Sequence, residues 1–138
     1  MPSQIRLGPS LVRTKRIFPV PIRIPEIADC LWKALAIAHF RRLNDTAAWG
    51  LTLATAESRL DIPDLIHLPV KLRFPHRICS RNPKFSEEEI DGLDDLVRRH
   101  KMGRGRVIVA GLLLLYTLQP VDLTRAIIET PRWRESED

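Results

Sequence analysis

At 138 residues the chain suffices for one ordinary domain, or for two very small units sharing a core. Its formal net charge of +5 and pI near 9.8 point to anionic partners, with nucleic acid ahead of membrane surfaces. Two distant cysteines, Cys30 and Cys79, and scattered histidines argue against a disulfide framework or a metal centre.

Residues 1–17 form a basic arm holding Arg6, Arg13, Lys15 and Arg16 without an acid, suited to lie along phosphates. The arm lacks the continuous apolar core of a secretory signal, so a cytoplasmic location is expected. In FPVPIRI, Phe18, Val20, Ile22 and Ile24 share one face, and Pro19, Pro21 and Arg23 the other. This period of two predicts a strand. Its prolines lack amide protons on one side, so it pairs along the other only. Pro25 suits a helical first turn, and Ile27, Leu31, Ala34, Leu35 and Ala38 follow as an apolar stripe. Asn44 or Asp45 is expected to cap a second helix bearing Ala48, Trp49, Leu51, Leu53, Ala54 and Leu60. Residues 62–70 are a connector.

A second strand is expected within residues 70–81 (VKLRFPHRICSR), with Asn82-Pro83 turning into a helix. Ser86 and Glu89 form a capping box, Glu87, Glu88 and Asp91 suit that helix's start, and Arg98, Arg99 and Lys101 its end. Gly103 and Gly105 bracket Arg104 in a basic turn, and a helix from Arg106 to Leu118 is apolar nearly all round. That run is shorter than the ~20 residues of a membrane span; it needs a partner, which the Ala/Trp/Leu-rich second helix supplies. A short helix with Leu123, Ile127 and Ile128 on one side precedes the C-terminal tail.

Sliding the chain on itself by about sixty residues aligns strand, helix, turn and helix twice. Leu31, Ala34, Ala38 and Leu43 then fall on Ile90, Leu93, Val97 and Met102. Each half, FPVPIRI–helix–NDT–helix and HRICSR–helix–MGRGR–helix, resembles a unit of the ribbon-helix-helix (MetJ/Arc-like) DNA-binding family. The resemblance implies a mostly α fold with a two-stranded antiparallel ribbon, built as a tandem pseudo-dimer from units at residues 18–61 and 71–119. It further implies that the ribbon enters the major groove of double-stranded DNA. Similar tandem units occur in relaxosome accessory proteins of conjugative elements.

On that reading Arg23, Arg77 and Arg81 are the expected base readers, since arginine is the commonest bidentate partner of guanine. The turns before the second helices, with Asn44 and Thr46 in one half and Gly103, Arg104, Gly105 and Arg106 in the other, are expected to hold phosphates. The second half is expected to grip more firmly, because Asp45 opposes a phosphate. No nucleophile motif, Walker loop or paired-carboxylate pattern points to an enzyme, and no cofactor is expected. The expected role is a relaxosome or other nucleoprotein accessory factor, or a transcriptional regulator. The rival is a protein-interaction module that uses the same fold without reading bases.

Overall fold

The computed structural model describes residues 16–62, 65, 68, 77–121 and 123. Its elements are β1 (Ile17–Pro19), β2 (Ile22–Pro25), α1 (Glu26–Ala38), α2 (Leu43–Thr55), β3 (Ile78–Arg81), β4 (Lys84–Ser86), α3 (Glu87–His100) and α4 (Arg104–Leu118). The fold is therefore mostly helical, with antiparallel strand pairing that is two strands wide. Residues 1–15 of the expected basic arm, most of the connector, residues 70–76 and nearly all of the C-terminal segment lie outside the described residues, and Ile17, expected as the arm's last residue, belongs to β1. No described helix is long and apolar enough to cross a membrane.

β1 pairs with β4, Pro19 opposite Lys84, and β2 pairs with β3, Ile22 opposite Arg81 and Pro25 opposite Ile78. Both pairings keep one register. Between them the Val20 amide donates to the Pro83 carbonyl at 2.8 Å, so residues 17–25 and 78–86 form one ribbon. Alternate pairs of an antiparallel ladder exchange hydrogen bonds. The Val20–Pro83 and Glu26–Arg77 bonds put Pro19, Pro21 and Pro25 at the intervening positions, where a missing amide proton costs no ladder bond. The second strand runs further than expected. Asn82-Pro83 is no turn, because the ladder passes through Pro83 and Phe85 continues the inward alternation, fully buried.

Val20, Ile22, Ile24 and Phe85 form the ribbon's buried face, which joins the core contributed by the helices. Pro25, fixed near φ −62°, precedes α1 as its N-cap. α2 opens at Leu43 with Arg42 as N-cap, so neither Asn44 nor Asp45 caps it. The start is set by packing: Leu43 is buried, and its carbonyl accepts the Trp32 indole N–H at 2.8 Å. Asn44 is engaged elsewhere, its Oδ1 accepting the Lys84 amide at 2.9 Å. The helix stops at Thr55, short of Leu60, which is buried beyond the helix end.

α3 carries the expected capping box. Glu89 donates its amide to Ser86 Oγ at 3.2 Å, and Ser86 donates its own to Glu89 Oε1 at 2.8 Å. α4 starts at Arg104 with Gly103 as N-cap, so Gly105 and Arg106 lie inside the helix. Val107, Ile108, Val109, Ala110, Leu112 and Leu115 are buried, as a helix apolar on every side requires. Its partner is α2, and the two cross where Gly50 meets Gly111. A Cβ on Gly50 would stand 2.8 Å from the Gly111 carbonyl carbon, and one on Gly111 would stand 2.7 Å from that of Gly50. The two backbones are in direct contact there.

Glu26 and Glu87, which open α1 and α3, stand 61 positions apart, as do Leu43 and Arg104, which open α2 and α4. The same spacing separates Gly50 from Gly111, and Phe40 from Lys101, which among the described residues are the non-glycine residues of positive φ (54° and 53°). The alignment read from the sequence, Leu31 on Ile90, is two positions short of this spacing. Helical apolar stripes tolerate such a slip; the ribbon register and the glycine crossing do not.

Candidate functional site

Alternation along the ribbon divides its side chains into two sets. Arg23, Ser80, Asn82 and Lys84 face outward and are exposed, together with Pro19 and Pro21 and the half-exposed Ile17 and Ile78. Arg23 stands where the sequence puts a base reader, opposite Ser80. Arg77 is exposed just before β3, its carbonyl accepting the Glu26 amide.

Arg81 does not face outward. The second strand's phase puts Ile78 and Ser80 outside, and turns Cys79 and Arg81 toward α1. The Arg81 guanidinium donates to Asp29, Nε to Oδ1 at 2.9 Å and Nη2 to Oδ2 at 3.0 Å. Lys33 Nζ donates to the same carboxylate at 2.6 Å. Asp29 and Lys33 are both buried, so Arg81 completes an internal ion cluster and its expected base-reading role is corrected. Removing a charge from water is repaid only by close, hydrogen-bonded partners, and Asp29 has two. The Asp29/Lys33 spacing of one helical turn was the available signal for half of this cluster.

Cys79 borders this cluster. Burial raises its thiol pKa above the ordinary value, the Asp29 carboxylate adds to the effect, and Arg81 partly offsets it. A raised pKa favours the protonated thiol, which lines a cleft of about 190 Å³ with Glu26, Asp29 and Arg77. Among the described residues no cluster of His, Cys, Asp and Glu could hold a metal ion.

The turns before α2 and α4 differ from expectation at four of six residues. Arg104 forms a two-point contact with Asp94 of α3, Nε to Oδ1 at 2.8 Å and Nη2 to Oδ2 at 2.9 Å. That hydrogen bonding raises the pKa of Arg104 further. Its charge is spent on joining α3 to α4. A Cβ on Gly105 would lie 3.0 Å from the Arg23 carbonyl oxygen, so that glycine allows α4 to approach the ribbon. Thr46 is fully buried, its hydroxyl donating to the Arg42 carbonyl at 2.9 Å. Asn44 holds the Lys84 amide, as noted. Gly103 and Arg106 are exposed.

Neither N-cap, Arg42 or Gly103, makes a side-chain cap bond. Intrahelical bonding begins at the Thr46 and Val107 amides, and the first-turn amides before them lack a helical acceptor. These amides carry the positive end of each helix dipole. α2 lies against β4, and α4 against β2, so the two helix starts flank the ribbon. Beside the start of α2, a cleft of about 460 Å³ separates residues 42–44 from residues 80–83. Next to it the Arg41 guanidinium stacks 4.2 Å from the Trp49 ring, and Phe40 is 96% exposed on a left-handed turn. Sequence reasoning passed over this aromatic and cationic turn.

α3 opens with a run of acidic residues. Glu87, Glu88 and Asp91 are exposed along α3, and Asp95 pairs with Arg98 at 3.4 Å and Arg99 at 3.6 Å. Those arginines therefore add less positive surface than their sequence position implies.

No family model, curated protein or solved structure matches the chain.

Proposed function

We propose that the chain is a tandem ribbon-helix-helix pseudo-dimer that binds double-stranded DNA through the outer face of its ribbon. The role is that of a cytoplasmic nucleoprotein factor, a relaxosome-type accessory protein or a transcriptional regulator. The observation that carries this reading is the placement of Arg23 and Lys84. They stand 61 positions apart, exposed on one face of a continuous two-stranded ribbon, with the uncapped starts of α2 and α4 on either side. A two-stranded ribbon fits the major groove, which is about 12 Å wide. Helix N-termini supply amides and partial positive charge where the sugar-phosphate backbone would pass.

Duplex binding measured by fluorescence anisotropy across a salt series tests the proposal. Affinity is expected to fall linearly on a log–log plot, and Arg42→Ala to reduce the slope by about one. Arg106→Ala is expected to weaken binding to every sequence, whereas Arg104→Ala acts chiefly on stability, because that side chain is held by Asp94. Binding indifferent to salt, or unaffected by joint loss of Arg23 and Lys84, would sink the proposal. The rival protein-interaction reading draws on the apolar part of the same face, Pro19, Pro21, Ile17 and Ile78. It predicts salt-insensitive partner binding and no duplex binding.

A further inference from the structure

We infer that the ribbon reads an asymmetric duplex site in one fixed orientation, one end discriminating bases and the other holding the backbone. This rests on the DNA-binding reading above. The outer face is a series of cross-strand pairs: Pro19 with Lys84, Arg23 with Ser80, Pro25 with Ile78. The same register sets Pro21 against Asn82. A half-turn about the Pro21–Asn82 pair exchanges Arg23 with Lys84, Ser80 with Pro19, and Ile78 with Ile17. Only the isoleucines are alike under that exchange, at 48% and 49% exposed.

The polar groups are thus unevenly divided. Arg23 and Ser80 face each other in a non-hydrogen-bonded pair, where opposed side chains stand closest. A guanidinium fork matches the two acceptors of guanine, and a hydroxyl can donate or accept beside it. At the other end Lys84 faces Pro19, whose ring offers neither donor nor acceptor. An ammonium is a point charge that tolerates many partners, phosphate included. Asn82, which suits the two edge groups of adenine, has only Pro21 as its counterpart.

The flanking turns differ in the same direction. Beside Lys84 lies the start of α2, with exposed Arg41 and Arg42 and the larger cleft. Beside Arg23 lies the start of α4, where Gly105 packs on the ribbon and Arg104 is held by Asp94. One end is equipped to distinguish bases and the other to grip. A dimer of identical subunits has identical ends and reads palindromes; this ribbon has no such constraint.

The test begins by selecting sites for the full chain from random duplexes of about 20 base pairs, spanning roughly two helical turns. The best duplex is then compared with the two palindromes built from its halves. The expected consensus is not a palindrome, and both constructed palindromes bind more weakly than the parent. Arg23→Ala should relax base preference at one half only, by roughly tenfold. Lys84→Ala should lower affinity for all duplexes without changing the preferred bases. Both side chains are exposed, and circular dichroism of each variant confirms that it folds. A palindromic consensus, equal relaxation at both halves, or indiscriminate capture of all duplexes would overturn the orientation while leaving DNA binding intact. Failure to bind any duplex at low salt would overturn both readings.

Discussion

Asp29 accepts hydrogen bonds from Lys33 and Arg81, and all three are withdrawn from water to differing degrees, Arg81 least. Removing the shared carboxylate takes a close anionic partner from two cations at once. Asp29→Asn is expected to lower stability by about 3 kcal/mol in urea unfolding, because a buried pair loses more when one partner is left behind than when both go. Replacing Asp29, Lys33 and Arg81 together by Leu, Met and Met should recover most of that loss. At this scale the sequence was readable where the interaction is local. The Ser86/Glu89 capping box was, and so was the inward set Val20, Ile22 and Ile24, whose phase is pinned by the prolines between them. The 52-residue separation of Arg81 from Asp29 leaves no periodic trace. Arg81 looked like a reader because nothing in its own strand shows which face its side chain takes. Arg104 misled for the same reason, since nothing local shows that Asp94 lies within reach of its guanidinium.

Between elements, the decisive contact is the crossing of α2 and α4. Gly50→Ala and Gly111→Ala each push a methyl group into the facing backbone, inside 3 Å, and backbone cannot rotate aside. Each is expected to cost about 2–3 kcal/mol by thermal or urea unfolding. Gly92, in the interior of α3, is the control. A Cβ there meets nothing within 4 Å, so Gly92→Ala should stabilise the protein by about 0.5–1 kcal/mol through helix propensity alone. The pairing of the two apolar helices was legible, since a helix greasy on every side has nowhere else to go. The glycine contact was not, because an isolated Gly in each helix pattern reads merely as a weak spot. The helix starts were misjudged because Asn44 looks like a cap until Lys84 is found to need its carboxamide.

For the molecule as a whole, strands and helices from both halves share one core within a single chain. Its melting temperature is therefore expected to stay constant over a hundredfold range of protein concentration. A rise with concentration would mean that the stable unit is an oligomer. The sequence showed a mostly helical chain with a two-stranded antiparallel ribbon, and its alignment of the two halves differs by two positions from the spacing of the helix starts. Element order is encoded in composition and turn residues, whereas spacing is fixed only by a ladder joining residues far apart in the chain. The charge behind the expected firmer grip of the second half is distributed differently in the structure. Its basic turn has Arg104 committed to Asp94, and the exposed Arg41 and Arg42 lie in the first half.

Among the described residues the ribbon is two strands wide, and open margins of such a ribbon template the addition of strands from other chains. Here one margin is blunted by Pro19, Pro21 and Pro25, which offer no N–H to a newcomer, and on the other the Lys84 amide is already held by Asn44. An incoming strand would therefore find few amide donors along the proline-bearing margin, and the two margins differ in how readily each could be extended.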